Sequence, residues 1–271
     1  VPFLRLINEA PLPVVVFGII GVCEIYTIGL ILLARRLWGP ERLQRNNEIG
    51  GFKFANVGVL YAVMIAFMVI AVWQDYQDVE TAVRTEAKAV RDLHHLTYAI
   101  PGNQGEAIRQ PLLEYARHVK KDEWPAMANG TLGMRPADHL AHVAESILAL
   151  NVETLKDLAL FQEALRLVAV IQDSRSERIE SANGSIPNVL WLALIGGAFI
   201  LLGYPAFFGA QNMVAQIAMA AVMAALVGLV LLPAILLDFP FTGPVHISAE
   251  PFNIVAREAP PHWQATDPAE P

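Results

Sequence analysis

Nineteen consecutive residues, Ala55 to Trp73, carry no charged side chain. At about 1.5 Å per residue a helix of that length covers close to the ~30 Å hydrocarbon core of a bilayer, so the stretch predicts a membrane span. It is entered from a polar, basic segment and left through an amphipathic, charged one. Ala55, Gly58, Ala62 and Ala66 recur along it at helical spacing. Small side chains in that pattern let helix backbones approach closely in lipid, which makes this stripe a candidate helix-packing face.

Three further apolar blocks are long enough to span, roughly Pro13 to Ala34, Pro187 to Phe208 and Val214 to Leu237. Distribution decides the class here, because 55% apolar content in 271 residues would also suit one large soluble domain. Residues 74–185 differ from the blocks that flank them. They hold 12 basic and 17 acidic side chains and no basic patch suited to nucleic acid.

Helical periodicity runs through that middle segment. Val79, Val83, Ala87, Val90 and Leu93 mark a helix over about Tyr76 to Ala99, ended by Pro101-Gly102-Asn103. Ile108, Leu112, Tyr115 and Val119 mark a second, about Glu106 to Trp124, which Pro125 stops. A third is expected over about Ala137 to Leu150, and a fourth over about Val152 to Ser181 with Leu155, Leu158, Leu165 and Val168 as its stripe. No strand pattern accompanies them. The expected fold is therefore all-α: an integral membrane protein with four transmembrane helices and a soluble four-helix bundle inserted between spans two and three. Domain boundaries follow at 1–73 for the tail and first two spans, 74–185 for the bundle, 186–238 for spans three and four, and 239–271 for a Pro-rich strap and tail.

The first block is too long for a signal-peptide core and carries Glu24, so it reads as a retained span. A carboxylate at mid-span is costly. Glu24 is either a functional group facing water or the bundle interior, or a protonated side chain hydrogen-bonded to a neighbouring helix. Arg35, Arg36, Arg42, Arg45 and Lys53 crowd the linker between spans one and two, which places that linker in the cytoplasm of a bacterial inner membrane and the central domain outside it. Trp73 and Trp191 are expected as aromatic anchors at one interface.

Chemical signatures are sparse. Cys23 is the single cysteine, which excludes an internal disulfide and any multi-cysteine metal site. His139-x-x-His142-x-x-Glu145 lies along one helix, but its third step swings the carboxylate about 120° from the first ring, so solvated surface histidines are expected and no metal. No nucleophile signature, phosphate loop or nucleotide fingerprint points to an enzyme or a cofactor. Trp124, in the charged run Lys120 to Pro125, is either a partner anchor or the closure of the bundle core.

Asn47-Glu48, Gly51, the run Gly58 to Ala62, Glu123-Trp124-Pro125, Pro187 with Trp191, and Asp238 with Pro240-Phe241-x-Gly243 together resemble a bacterial membrane-protein family described as bestrophin-like. The resemblance spans most of the chain. It implies four spans and, by looser analogy, the pentameric anion-channel architecture of true bestrophins, in which span two lines the pore. No acidic cluster resembles their calcium clasp, and their central region is cytoplasmic, whereas the basic linker here argues the reverse. The expected function is an oligomeric ion channel, with the lipid bilayer and further copies of the chain as partners. Its alternative is a non-conducting membrane scaffold or sensor whose helical domain receives a protein partner or ligand.

Overall fold

The computed structural model describes residues 10–45, 47–130, 138–184 and 186–253. All regular structure among them is helical. The chain separates into two compact units, one built from the residues up to Tyr76 together with Gly184–Val245, the other from Gln77–Asn183 with the residues from His246 on.

Among the described residues, four helices are long and apolar enough to cross a bilayer. Helix α1, Leu12–Trp38, starts on Pro11 and ends at Gly39, whose φ of 74° carries the chain into the short α2, Pro40–Gln44. Helix α3, Asn47–Thr97, is one uninterrupted element of 51 residues. The expected domain boundary at residues 73 and 74 falls inside it. Nothing between Gly58 and Thr97 is a glycine or a proline, so no residue there interrupts the helical hydrogen-bond ladder.

Two shorter spans complete the first unit. One is α8, Asn188–Gly203, extended by a 3-10 turn over Tyr204–Phe207; the other is α9, Met213–Leu237, capped by the Asn212 side chain on the Ala215 N–H. The core joins Tyr61, Ile65 and Met68 of α3 to Cys23 of α1, Trp191, Leu194 and Leu201 of α8, and Ala224, Val227 and Leu231 of α9. Small residues set the spacing at two crossings. A Cβ on Gly228 would lie 3.4 Å from the Ile20 Cα of α1, and one on Gly197 would meet the Tyr61 ring at 2.8 Å. The close face of α9 is thus Ala220, Ala224 and Gly228, buried at i, i+4 and i+8. Trp191 is buried in this core, so it does not serve as an interface anchor, while Trp73 is half exposed and stacks on Tyr76.

The second unit contains α4, Gln104–His118, a π-helical turn over Val119–Glu123, α5, Trp124–Asn129, α6, Asp138–Leu148, and α7, Leu155–Glu180. Pro125 does not stop the second predicted helix. The wide turn ahead of it absorbs the missing N–H, and Pro125 occupies the first turn of α5, where no donor is needed. A capping box between Thr154 and Asp157 opens α7. Its N-terminal leucines do not form the expected stripe: Leu155 is 86% exposed, and the buried face begins at Ala164 and passes through Leu167, Val168 and Ile171 to Ser174 and Arg178. Ile247 and Phe252, from the expected C-terminal strap, are buried with this unit. The expected loose tail lies outside the described residues beyond Phe252, apart from Asn253.

Candidate functional site

The apolar part of α3 buries only one side of itself within the first unit. Tyr61, Ile65, Met68 and Val72 face the core, whereas Val59, Leu60, Val63, Phe67 and Ile70 are exposed. Of the predicted small-residue stripe, Ala55, Ala62 and Ala66 lie on the exposed side, and Gly58 is half-buried, with Leu201 Cδ1 4.0 Å from where its Cβ would be. The stripe is therefore largely unused by the chain's own helices. Glu24 sits half-buried on α1 beside the buried Cys23, and it makes no hydrogen bond or ion pair among the described residues.

Polar side chains fasten both ends of the first unit, the membrane unit. At one end the Asn47 side-chain amide donates to the Gly209 carbonyl at 2.6 Å and accepts the Gly209 N–H at 3.0 Å. Beside it, Arg35 Nη1 donates to the Ala210 carbonyl and to Gln216 Oε1, and Gln216 Nε2 donates in turn to the Phe208 carbonyl. The backbone that joins α8 to α9 thus finds its partners on α1, α3 and α9. At the other end Asp238, 3% exposed, accepts the Ile186 N–H and the Trp191 indole N–H, both at 3.1 Å. Gly184, at φ 90°, packs directly against that carboxylate.

A second polar cluster lies inside the second unit, the helical unit. Arg178 of α7 is wholly buried, donating from Nε and Nη2 to both oxygens of the equally buried Glu86 of α3, and from Nη2 to Glu123 Oε2 at 2.7 Å. Arg175 takes the other Glu123 oxygen, and the Tyr115 hydroxyl donates to Glu86 Oε1 at 2.6 Å. Burial alone would push the Glu123 carboxyl up, but the charges and hydrogen bonds of Arg178 and Arg175 outweigh it and hold the group below the usual carboxylate range. Burial and the neighbouring Glu86 charge push the Tyr115 phenol well above its ordinary value. Two cations thus meet two carboxylates with most hydrogen-bonding capacity satisfied, the condition under which buried charge is tolerated.

Trp124 belongs to the same region. Its indole N–H donates to the Ile247 carbonyl at 3.2 Å, its ring meets the edge of Phe252 at 5.9 Å, and the Arg178 guanidinium lies 5.3 Å from the ring centre. His139 pairs with Glu114 and His142 with Glu145, so the spaced histidines do not converge. Among the described residues no group of three or more His, Cys, Asp or Glu could hold a metal ion.

Residues 22–252 match the family model described as a bestrophin-like domain. The chain belongs to that family. Among solved structures, a substituted bacterial bestrophin homologue from Klebsiella pneumoniae has the same fold at 13% identity, with a TM-score of 0.63 over 88% of this chain and 96% of that one. A second, described only as a membrane protein, superposes at a TM-score of 0.66 with 12% identity and the same coverage. No curated protein matches the sequence.

Several residues that carry the bestrophin-like resemblance are the polar fasteners described above. Asn47 holds the loop at Gly209, Asp238 holds Trp191 behind Pro187, and Glu123 completes the Arg178 cluster. Of the cluster's other members, Tyr115 stands in the stripe expected for the second soluble helix, whereas Glu86, Arg175 and Arg178 were not singled out from the sequence as buried. A signal was present, since Glu86 falls at helical spacing between Val83 and Val90 while Arg178 continues the Ile171–Ser174 face, one charge of opposite sign in each apolar stripe.

Proposed function

We propose that this chain is the protomer of a homo-oligomeric ion channel in the bacterial inner membrane, selective for anions, with the helical unit inserted between spans two and three. The observation that supports it is the uncharged, outward face of α3, where Ala55, Ala62 and Ala66 alternate with exposed apolar side chains and are not used inside the protomer. Small residues let copies of α3 approach one another, and the apolar side chains between them suit a constriction that gates by dewetting. Nothing acidic on this stretch would repel an anion. Purified protein in planar bilayers with a KCl gradient is expected to conduct, with a reversal potential near that of chloride. Silence across several salts and pH values in well-folded protein overturns the reading in favour of a non-conducting scaffold or sensor.

Ala62→Leu and Ala66→Leu are expected to abolish assembly in detergent while leaving each protomer folded, since both positions are exposed in the single chain. Val22→Leu on α1, also exposed, is the control. Equal elution profiles for all three would put the α3 stripe against lipid. Glu24 is assigned to the wetted side of the path, so Glu24→Gln is expected to move the reversal potential further towards chloride by removing a like charge. An unmoved potential takes Glu24 off the path.

The basic linker places the helical unit outside the cytoplasm in this reading. Asn129 is exposed and Cys23 is buried, so Asn129→Cys supplies a single reactive thiol. Labelling by an impermeant reagent in spheroplasts is the expected result, and protection until the membrane is broken reverses the topology.

A further inference from the structure

We infer that the surface between α1 and α8 is a binding site for one anionic phospholipid, its acyl chain in an apolar groove and its phosphate at Arg36. The groove has a volume of about 410 Å³. Its walls include Leu30, Leu33 and Leu37 of α1 and Phe199, Gly203 and Phe207 on the opposite side. Along α1 it extends from Tyr26 to Trp38, thirteen residues or about 18 Å of helix, which matches the roughly 15 Å depth of one hydrocarbon leaflet.

The two ends of the groove differ as the two ends of a lipid do. At the deep end the Tyr26 hydroxyl is already spent on the Phe199 carbonyl at 3.3 Å and the rings meet edge to face, so that hydroxyl is not available to orient a polar group. Gly203 keeps that end open, because a Cβ there would stand 3.3 Å from the Tyr26 hydroxyl and 3.4 Å from Leu30. At the mouth, Trp38 and Phe207 approach to 6.4 Å between ring centres, the kind of aromatic pair that sits at headgroup level.

Charge selects the headgroup. Arg35 is committed to Ala210 and Gln216, but Arg36 is exposed and has no hydrogen bond or ion pair among the described residues. It lies three residues from Leu33 and two from Trp38, and the exposed Arg42 follows on α2. A zwitterionic headgroup offers this end a phosphate together with its own cation, whereas an anionic one offers the phosphate alone. One arginine at a membrane surface gives about a fivefold preference for the anionic lipid.

Quenching of Trp38 fluorescence by brominated lipid tests this in reconstituted full-length protein. Small fractions of dibrominated phosphatidylglycerol or dibrominated phosphatidylcholine are added to unbrominated phosphatidylcholine vesicles, and the Trp38 signal is taken as the difference from Trp38→Phe. Wild type is expected to show about fivefold stronger apparent association with the glycerol lipid. Arg36→Gln is expected to equalise the two lipids, and Ile200→Phe, at an exposed position on the groove wall, to weaken quenching by both. Equal quenching in wild type, or an anionic preference that survives Arg36→Gln, overturns the site. Trp38 untouched by either lipid overturns it too, since a second copy of the chain would then cover the groove.

Discussion

Arg178→Met is expected to destabilise the helical unit by about 3–5 kcal/mol, because it leaves Glu86 buried with no cation and Glu123 with Arg175 alone. Methionine fills much of the same space, so the loss is electrostatic and not a cavity. The double variant Glu86→Gln/Arg178→Met is expected to recover a substantial part, since the amide removes one uncompensated charge. Thermal melting in detergent, followed by far-ultraviolet circular dichroism, measures both. A single variant that melts like wild type would mean the carboxylates find water or another cation.

The same cluster gives a pH dependence whose sign follows from Glu123. Its carboxyl lies below the ordinary range in the folded chain, so the stabilisation it provides is fully present above the unfolded value of about 4.3 and is lost as pH falls through the lower, folded value. Melting temperature should therefore hold between pH 7 and 5 and drop below about pH 4. In Glu123→Gln that part of the acid loss should be missing.

How legible each part was depended on what kind of signal it needed. The four spans could be read because hydrocarbon tolerates so few charged side chains that nineteen residues without one have few other readings. The boundary expected after Trp73 is a change of composition, from apolar to charged side chains, to which the backbone has no reason to respond, and α3 continues through it to Thr97. Pro125 misled in the opposite direction, because a proline just after a π turn begins a helix as readily as it ends one. The small-residue stripe of α3 was visible as a period, yet the sequence could not say whether a neighbour within the chain already covered it. Tyr61 and Ile65, on the adjacent face, are the residues that meet α8 and α9, which leaves Ala62 and Ala66 outward. Trp124 shows the same limit, since its partners Ile247 and Phe252 lie more than 120 residues away in the chain.

Asp238→Asn is expected to cost the membrane unit nearly as much as Asp238→Ala, about 2–4 kcal/mol, even though asparagine keeps the shape. The reason is the count of acceptors. The carboxylate accepts the Ile186 N–H on Oδ1 and the Trp191 indole N–H on Oδ2, and it does so 3% exposed. An amide can accept one of them only, and it turns an N–H₂ towards the other, so a favourable bond becomes a donor facing a donor. Trp191→Phe removes one of those donors and should cost less on its own, because it takes a donor away without setting a new one against a neighbour. Combining Trp191→Phe with Asp238→Asn should then cost clearly less than the two losses added, a coupling of about 1–3 kcal/mol, since the amide no longer opposes an indole N–H. Melting of the four variants in one detergent gives the cycle directly. Additive losses would mean that Trp191 and Asp238 act independently, and the bond that ties the start of α8 to the end of α9 would have to be withdrawn.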